Sequence, residues 1–261
     1  MSFGALALLV LFEALYLRAV LVLRRRGWRV PAGQQLAWHL GLALQAVALL
    51  GPLDRAAEDF LSAHMAQHLL LADVAVPFLL AGVRTPVLVF LIPRPLLVAL
   101  AHRRRLRAAF RFLRRPLVAV PVYLVVLYFW HLGFAFEAAL RDPAVHALQH
   151  ASFVGIGVLV WWAALEPQRA RLRGELWKIP YIVATRLISM FLGMALIFST
   201  SPWYADVYGR DSLSDQRSAG GIMMSVDIAI IVAALIFFFW RASADYDAAE
   251  RREAALRSAA T

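Results

Sequence analysis

The residues with the clearest chemical potential are histidines in two pairs at helical spacing. His64 and His68 form the first pair, and His146 and His150 form the second. Residues at positions i and i+4 lie on the same face of a helix, so each pair directs two imidazoles to one side. A fifth histidine, His131, lies at a similar depth in another apolar segment. Five imidazoles in one layer near one membrane face predict a metal or cofactor site.

Methionines accompany this layer, and the chain contains no cysteine. Imidazole and thioether ligands without thiolates suit copper, and thioether sulfur favours Cu(I). The absence of cysteine also excludes disulfides and thiolate metal sites. The predicted copper ligands are His64, His68, His131, His146, His150, Met65 and Met223.

Four further polar residues are predicted to support this site or to join helices. Gln67 and Gln149 lie beside the ligand histidines in their two segments, and Asp215 precedes the last apolar segment. Asp227 lies inside that last segment, and its carboxylate has two interpretations. It either orients a ligand histidine by accepting the second N–H, or it hydrogen-bonds a neighbouring helix.

Asp73 and Arg186 are opposite charges predicted at similar depth in two different spans. Charged residues inside a membrane are costly, so they usually pair with each other. The sequence therefore predicts a buried ion pair, with His39 as a third member. Its predicted role is to pin helices together, with a proton path as the alternative.

Composition fixes the class of protein that carries these residues. Hydrophobic residues make up 62% of the 261 and charged residues 17%, with a mean hydropathy of +0.67. Soluble domains are nearer one half apolar, so the chain is predicted to be an all-α, polytopic membrane protein. The net charge of +10 does not indicate nucleic-acid binding, because of where the basic residues lie.

Seven apolar segments are long enough to cross a bilayer as helices. They form a predicted membrane domain over residues 1–242, and residues 243–261 form a tail. A shorter stretch at 86–101 contains three prolines and is predicted to be interfacial or partly embedded. The predicted spans are roughly 3–23, 34–52, 60–81, 117–137, 143–164, 179–201 and 220–240.

Most of the 27 lysines and arginines lie in the connections after the first, third and fifth spans and in the tail. The positive-inside rule then predicts an N-terminus outside and a cytoplasmic C-terminus. In this orientation the histidine layer lies near the outer face. The basic connections are expected to contact anionic lipid headgroups rather than nucleic acid.

Four stretches contain the histidine layer and the polar entry to the last span: His64 to Leu71, Trp130 to Leu140, His146 to Phe153, and Asp215 to Met223. They resemble the CtaG-type cytochrome c oxidase assembly proteins of bacterial plasma membranes, and the likeness covers about residues 35 to 240. Three departures from the family pattern are Gly133 where proline is expected, Arg217 in place of glutamine, and Met224 in place of tryptophan.

This resemblance implies about seven spans, a bacterial plasma membrane, and a role in assembling a haem–copper oxidase by handling copper. A subunit of that oxidase is the implied partner, and self-association stays an open alternative. No Gly-rich phosphate loop, HExxH or GxSxG motif occurs, so the protein is predicted not to be an enzyme.

Four alternatives stay open from the residues. Paired histidines on neighbouring helices also ligate haem, so a bis-histidine membrane cytochrome is one alternative. A metal-free assembly scaffold is another, in which the histidines only join helices. A dinuclear metal enzyme ranks lower because few carboxylates lie near the layer. A transporter also ranks lower, because two broken spans in matched positions are lacking.

Overall fold

The structure of the protein is a computed structural model that describes residues 2–165 and 175–259. Within these ranges every regular element is a helix. The first half of the described chain contains α1 (Ser2–Arg25), α2 (Ala32–Leu50), α3 (Pro52–Asp59), α4 (Leu61–Leu69), a π-helical segment (Leu70–Val74), α5 (Ala75–Gly82), α6 (Val87–Leu91), α7 (Arg94–His102) and α8 (Arg104–Leu113). The second half contains α9 (Pro116–Trp130), α10 (Gly133–Arg141), α11 (Pro143–Leu165), α12 (Lys178–Phe198), α13 (Ala205–Tyr208) and α14 (Leu213–Ala259).

Five of the described helical stretches are long and apolar enough to cross a membrane by themselves. Two further pairs qualify only when their halves are counted together. The pair α2 and α3 bends by 43°, and the pair α8 and α9 bends by 82°. The described part of the chain therefore has five to seven candidate spans, which confirms the prediction of an all-α polytopic membrane protein. The orientation of the termini stays a prediction.

The predicted fourth span, 117–137, is not one helix. Helix α9 ends at Trp130, Leu132 has extended backbone, and α10 begins at Gly133. Glycine is a poor helix former, so a helix is easily interrupted here. The Tyr204 hydroxyl donates to the freed carbonyl oxygen of His131 over 2.8 Å, which satisfies this helix end. The break therefore shapes the region around His131.

Two other predicted boundaries also differ. The predicted span 220–240 is the middle of α14, a single helix of 47 residues that is about 70 Å long and includes the predicted tail up to Ala259. The stretch 86–101 forms the two short helices α6 and α7, and α6 packs against α1. Arg169, Arg171 and Arg173, which contribute to the positive-inside argument, lie outside the described residues.

The third span is helical from Leu61 to Gly82 but contains the π-helical segment in its middle. Pro77 has no N–H to donate to the carbonyl of Asp73, and the irregular turn precedes it directly. Isolated π turns of this kind occur often at functional sites. This one presents Asp73 to the interior, where the residue is buried.

Gly157 permits α11 to pack closely against this π-helical segment. A Cβ atom at Gly157 would lie 2.5 Å from the carbonyl oxygen of Ala72. We expect Gly157→Ala to force the helices apart and to lower the free energy of unfolding by about 1–3 kcal/mol, as overpacking does. Thermal unfolding in detergent measures the effect. Gly155→Ala is the matched control, because a Cβ atom there meets nothing within 4 Å. Equal stability of both variants would contradict the close packing.

Candidate metal centre

The two histidine pairs face each other across the contact between α4 and α11. Within the pairs, the ring centroids of His64 and His68 and those of His146 and His150 are both 4.3 Å apart. Between the pairs, His64 stacks on His146 at 5.4 Å and His68 lies 5.2 Å from His150. One ligand nitrogen from each of His64, His68 and His146 can be chosen so that all three lie within 4.8 Å of one another. This separation suits coordination of one ion after small side-chain movements.

The cluster is buried, and most of its nitrogens have no hydrogen-bond partner. His64 is fully buried, and His68 and His150 are each 5% exposed. Among the described residues, neither ring nitrogen of these three histidines makes a hydrogen bond, and Nε2 of His146 makes none. Buried polar atoms are normally paired, so each unpaired one requires an explanation. Seven such nitrogens lie in this one cluster, and no protein group among the described residues pairs with them.

His131 lies next to this cluster at the end of α9. Its Nδ1 atom lies 2.7 Å from the backbone oxygen of Leu127. A carbonyl only accepts, so Nδ1 carries the proton and Nε2 keeps its lone pair. That Nε2 lies 3.3 Å from the sulfur of Met65. The hydrogen bond thus points the free Nε2 lone pair of His131 toward a thioether.

A small cavity lies between two of the histidines, His68 and His131, and both predicted methionine ligands. Its volume is about 20 Å³, which is enough for a single water-sized occupant. The cavity wall includes His68, His131, Met65, Met223 and Asp73. The sequence predicted one group of seven ligands. The structure instead brings the two histidine pairs together and places His131, Met65 and Met223 beside them, with His68 common to both sets.

Gln67 joins α4, the helix that carries the first histidine pair, to its neighbours. Its side-chain nitrogen donates to the backbone oxygen of Ala48 and to Oδ1 of Asp54, both over 2.8 Å. Gln149 is also buried, and its side-chain oxygen has no partner among the described residues. Gln67 therefore fixes α4 against α2 and α3, and the side-chain oxygens of both glutamines are further unpaired atoms next to the histidines in the chain.

Asp215 caps the N-terminus of the helix that carries the first histidine pair. Its carboxylate accepts the backbone N–H of Leu61 over 2.6 Å and that of Ser62 over 3.3 Å, and it also accepts the Ser62 hydroxyl. Carboxylates at this end of a helix satisfy free N–H groups and complement the helix dipole. The contact ties the start of α14 to α4, so Asp215 positions His64 and His68 without touching them.

We expect Asp215→Ala to lower the free energy of unfolding by about 1–2 kcal/mol through loss of this cap. The exposed Asp211 on the same loop is the matched control, as Asp211→Ala removes the same charge without a cap. Thermal unfolding in detergent compares the two variants. If both variants unfold at the temperature of the parent protein, the Asp215 cap does not stabilise α4.

Two tyrosines near α13 close the same end of the bundle, and the sequence did not single them out. Tyr204 stacks on Phe136 with ring centroids 3.8 Å apart, and Phe136 lies 5.0 Å from His64. The Tyr208 hydroxyl donates to the backbone oxygen of Ala57 over 3.1 Å. Burial, together with the nearby Asp215 carboxylate, raises the pKa of Tyr208, so this hydroxyl stays protonated. The loop between α12 and α14 therefore covers the histidine cluster.

The buried ion pair lies deeper than the histidines and has a different third member from the one predicted. Arg186 Nη1 lies 2.7 Å from Asp73 and 3.2 Å from Asp227. The prediction that His39 joins this group is wrong, since His39 lies 3.3 Å from Glu13 instead. Of the two interpretations of Asp227, the structure shows the contact to a neighbouring helix. Arg186 accordingly links three spans.

The comparison with protein families agrees with the sequence resemblance. The family model described as cytochrome c oxidase caa3 assembly factor (Caa3_CtaG) matches residues 14–245, which is most of the chain. No curated protein and no solved structure gives a significant match. The matched range includes all seven predicted ligands, both sides of the ion pair and the capping carboxylate. The chain therefore belongs to the cytochrome c oxidase caa3 assembly factor family.

Proposed function

We propose that this protein binds copper through its His/Met cluster and passes the ion to a subunit of a haem–copper oxidase during assembly. The observation that carries the proposal is the pair of facing histidine pairs whose buried nitrogens lack hydrogen-bond partners. In this proposal copper is the cargo and not a catalytic cofactor, and the role of the protein is non-catalytic.

Helix pinning is the weaker interpretation of the histidines. A histidine that joins helices does so by a hydrogen bond across their interface. His68 and His150 make no such bond among the described residues, and His64 only lies beside the backbone of Ala57. Burying unpaired polar atoms costs free energy, so their presence is better explained by a function that uses them.

The ligand types favour monovalent copper. The donor atoms are neutral imidazoles and thioethers, and a single positive charge is less costly to bury among them than two. The contact between His131 and Met65 provides a soft ligand set beside the imidazoles. His68 is common to both sets, so the ion can exchange ligands stepwise. Stepwise exchange suits delivery better than a closed four-ligand cage does.

Haem fits the geometry of this cluster less well than a single metal ion does. Bis-histidine ligation needs two imidazoles separated by a flat slot that holds the macrocycle. The facing rings in this cluster are 5.2 Å and 5.4 Å apart, and the adjoining cavity has a volume of about 20 Å³. A porphyrin requires far more space than this.

The partner and the location follow from the family and from the charge distribution. An oxidase assembly factor works where the oxidase is inserted, which we propose is the bacterial plasma membrane. The basic connections, in contact with anionic lipid, would then lie on the cytoplasmic side and the histidines near the outer face.

Metal and haem analysis of one sample tests the proposal. The protein is purified in mild detergent from copper-supplemented cells, and elemental analysis and a visible spectrum are measured. Near-stoichiometric copper without a Soret band is the expected result. A Soret band would identify a cytochrome instead. Absence of both copper and haem would leave a metal-free scaffold that binds an oxidase subunit.

A further inference from the structure

One histidine of the cluster is more accessible than the others. His146 is half-buried, whereas His64, His68 and His150 are buried. His146 also stacks on His64 and lies beside His150. An ion that reaches the cluster through the least movement of protein would therefore meet His146 first.

Two carboxylates of α3 lie next to this accessible histidine. Asp54 and Glu58 are four residues apart, so they share a face of the helix. Both are close enough to His146 to interact with it electrostatically. Glu58 is exposed and Asp54 is half-buried, so a cation arriving from solvent meets Glu58 before Asp54. The helix also carries Arg55 and Asp59, which leaves its net charge negative.

Helix α3 is fixed over the histidines, so this path is a stable feature of the fold. Oδ1 of Asp54 accepts a hydrogen bond from Gln67, which lies between His64 and His68 in the chain. The His64 ring lies beside the backbone of Ala57, and Tyr208 bonds the carbonyl of that same residue. Helix α3 is therefore anchored to α4, the helix that carries the first histidine pair.

We propose that Asp54 and Glu58 form an acidic entrance that attracts a metal cation and delivers it to His146. The inference rests on the proposed copper-binding function and adds the route by which the ion arrives. Carboxylate oxygens are weak ligands for a soft monovalent ion, so they raise its local concentration without retaining it. The buried histidines with unpaired nitrogens provide the stronger binding site behind them.

The rate of metal loading tests the entrance. Ag(I) serves as a redox-stable, monovalent probe of a Cu(I) site. Metal-free protein in detergent is mixed with Ag(I), separated rapidly, and analysed for bound metal over time. We expect Glu58→Gln to slow loading about two- to fivefold at low ionic strength, with a smaller difference at high salt. The final amount of bound Ag(I) should not change.

Asp59→Asn is the matched control. It removes one exposed carboxylate from the same helix, but position 59 lies about 140° around the axis from Asp54. We expect its loading rate to equal that of the parent protein. The double variant Asp54→Asn/Glu58→Gln should load more slowly than Glu58→Gln, and asparagine retains an oxygen that accepts from Gln67.

The possible outcomes test the acidic entrance and the metal site separately. Equal loading rates for Glu58→Gln and Asp59→Asn would overturn the entrance while leaving the metal site intact. A reduced final amount of bound Ag(I) in Glu58→Gln would make Glu58 a ligand rather than part of an entrance. A parent protein that binds no Ag(I) would overturn the metal site, and the entrance with it.

Discussion

Arg186→Met is expected to destabilise the protein by about 3–5 kcal/mol, because it removes a cation that lies against two buried carboxylates. Arg186 is fully buried and lies 2.7 Å from Asp73 and 3.2 Å from Asp227. Its guanidinium also lies over the ring of Tyr123, at 5.1 Å from the centroid. Without the arginine, both carboxylates would have to be protonated or exposed to water. The expected result is a large loss of folded protein in the membrane and a lower unfolding temperature in detergent.

Two further variants separate the lost ion pair from a general loss of packing. Arg217→Met makes the same chemical change at an exposed position of α14, so it should unfold at the temperature of the parent protein. Arg186→Met combined with Asp73→Asn and Asp227→Asn removes all three charges, so part of the lost stability should return. A triple variant that is no more stable than Arg186→Met would show that packing of the arginine, and not its charge, holds these helices together.

The histidine cluster was predictable because its signal is local. Spacing of four residues within His64 and His68, and within His146 and His150, fixes which face of each helix carries them. Depth along each span then places both pairs in one layer. The pairing of Asp73 with Arg186 was predictable for a similar reason, since few positions in a bilayer satisfy a buried charge.

Other features depend on how helices neighbour one another, which one sequence does not reveal. Glu13 competes for His39, and that contact depends on α1 lying beside α2. Tyr204 and Tyr208 approach the cluster from a loop far along the chain, so no local sequence pattern predicts their contacts. At the break around His131 and Leu132, the freed carbonyl finds its hydrogen-bond donor on that same loop. Long-range contacts of this kind override local helix propensity.

His64→Leu/His68→Leu is expected to abolish copper binding while leaving the fold intact. These side chains provide two of the three nitrogens that lie within 4.8 Å of one another. Leucine is apolar and of similar size, and neither histidine makes a hydrogen bond among the described residues. Replacing an unpaired polar group by an apolar one of similar shape is neutral or stabilising. Elemental analysis and thermal unfolding in detergent, both on the purified variant, measure the two effects together.

His39→Ala/His102→Ala is the matched control, because it removes two histidines that lie outside the cluster. His39 contacts Glu13, and His102 ends α7. This control should keep the copper content of the parent protein. The corresponding pair His64→Ala/His68→Ala should lose copper and also some stability, since alanine leaves a cavity that leucine fills.

The comparison of copper content with stability decides what the histidines do. If they bind copper, the leucine pair loses the metal, and its unfolding temperature equals or exceeds that of the metal-free parent. If they join helices through hydrogen bonds, the leucine pair unfolds at a lower temperature than the metal-free parent, and the parent itself contains no copper. A leucine pair that retains both copper and oxidase assembly would show that the ion binds elsewhere. The copper proposal would then be wrong for this cluster.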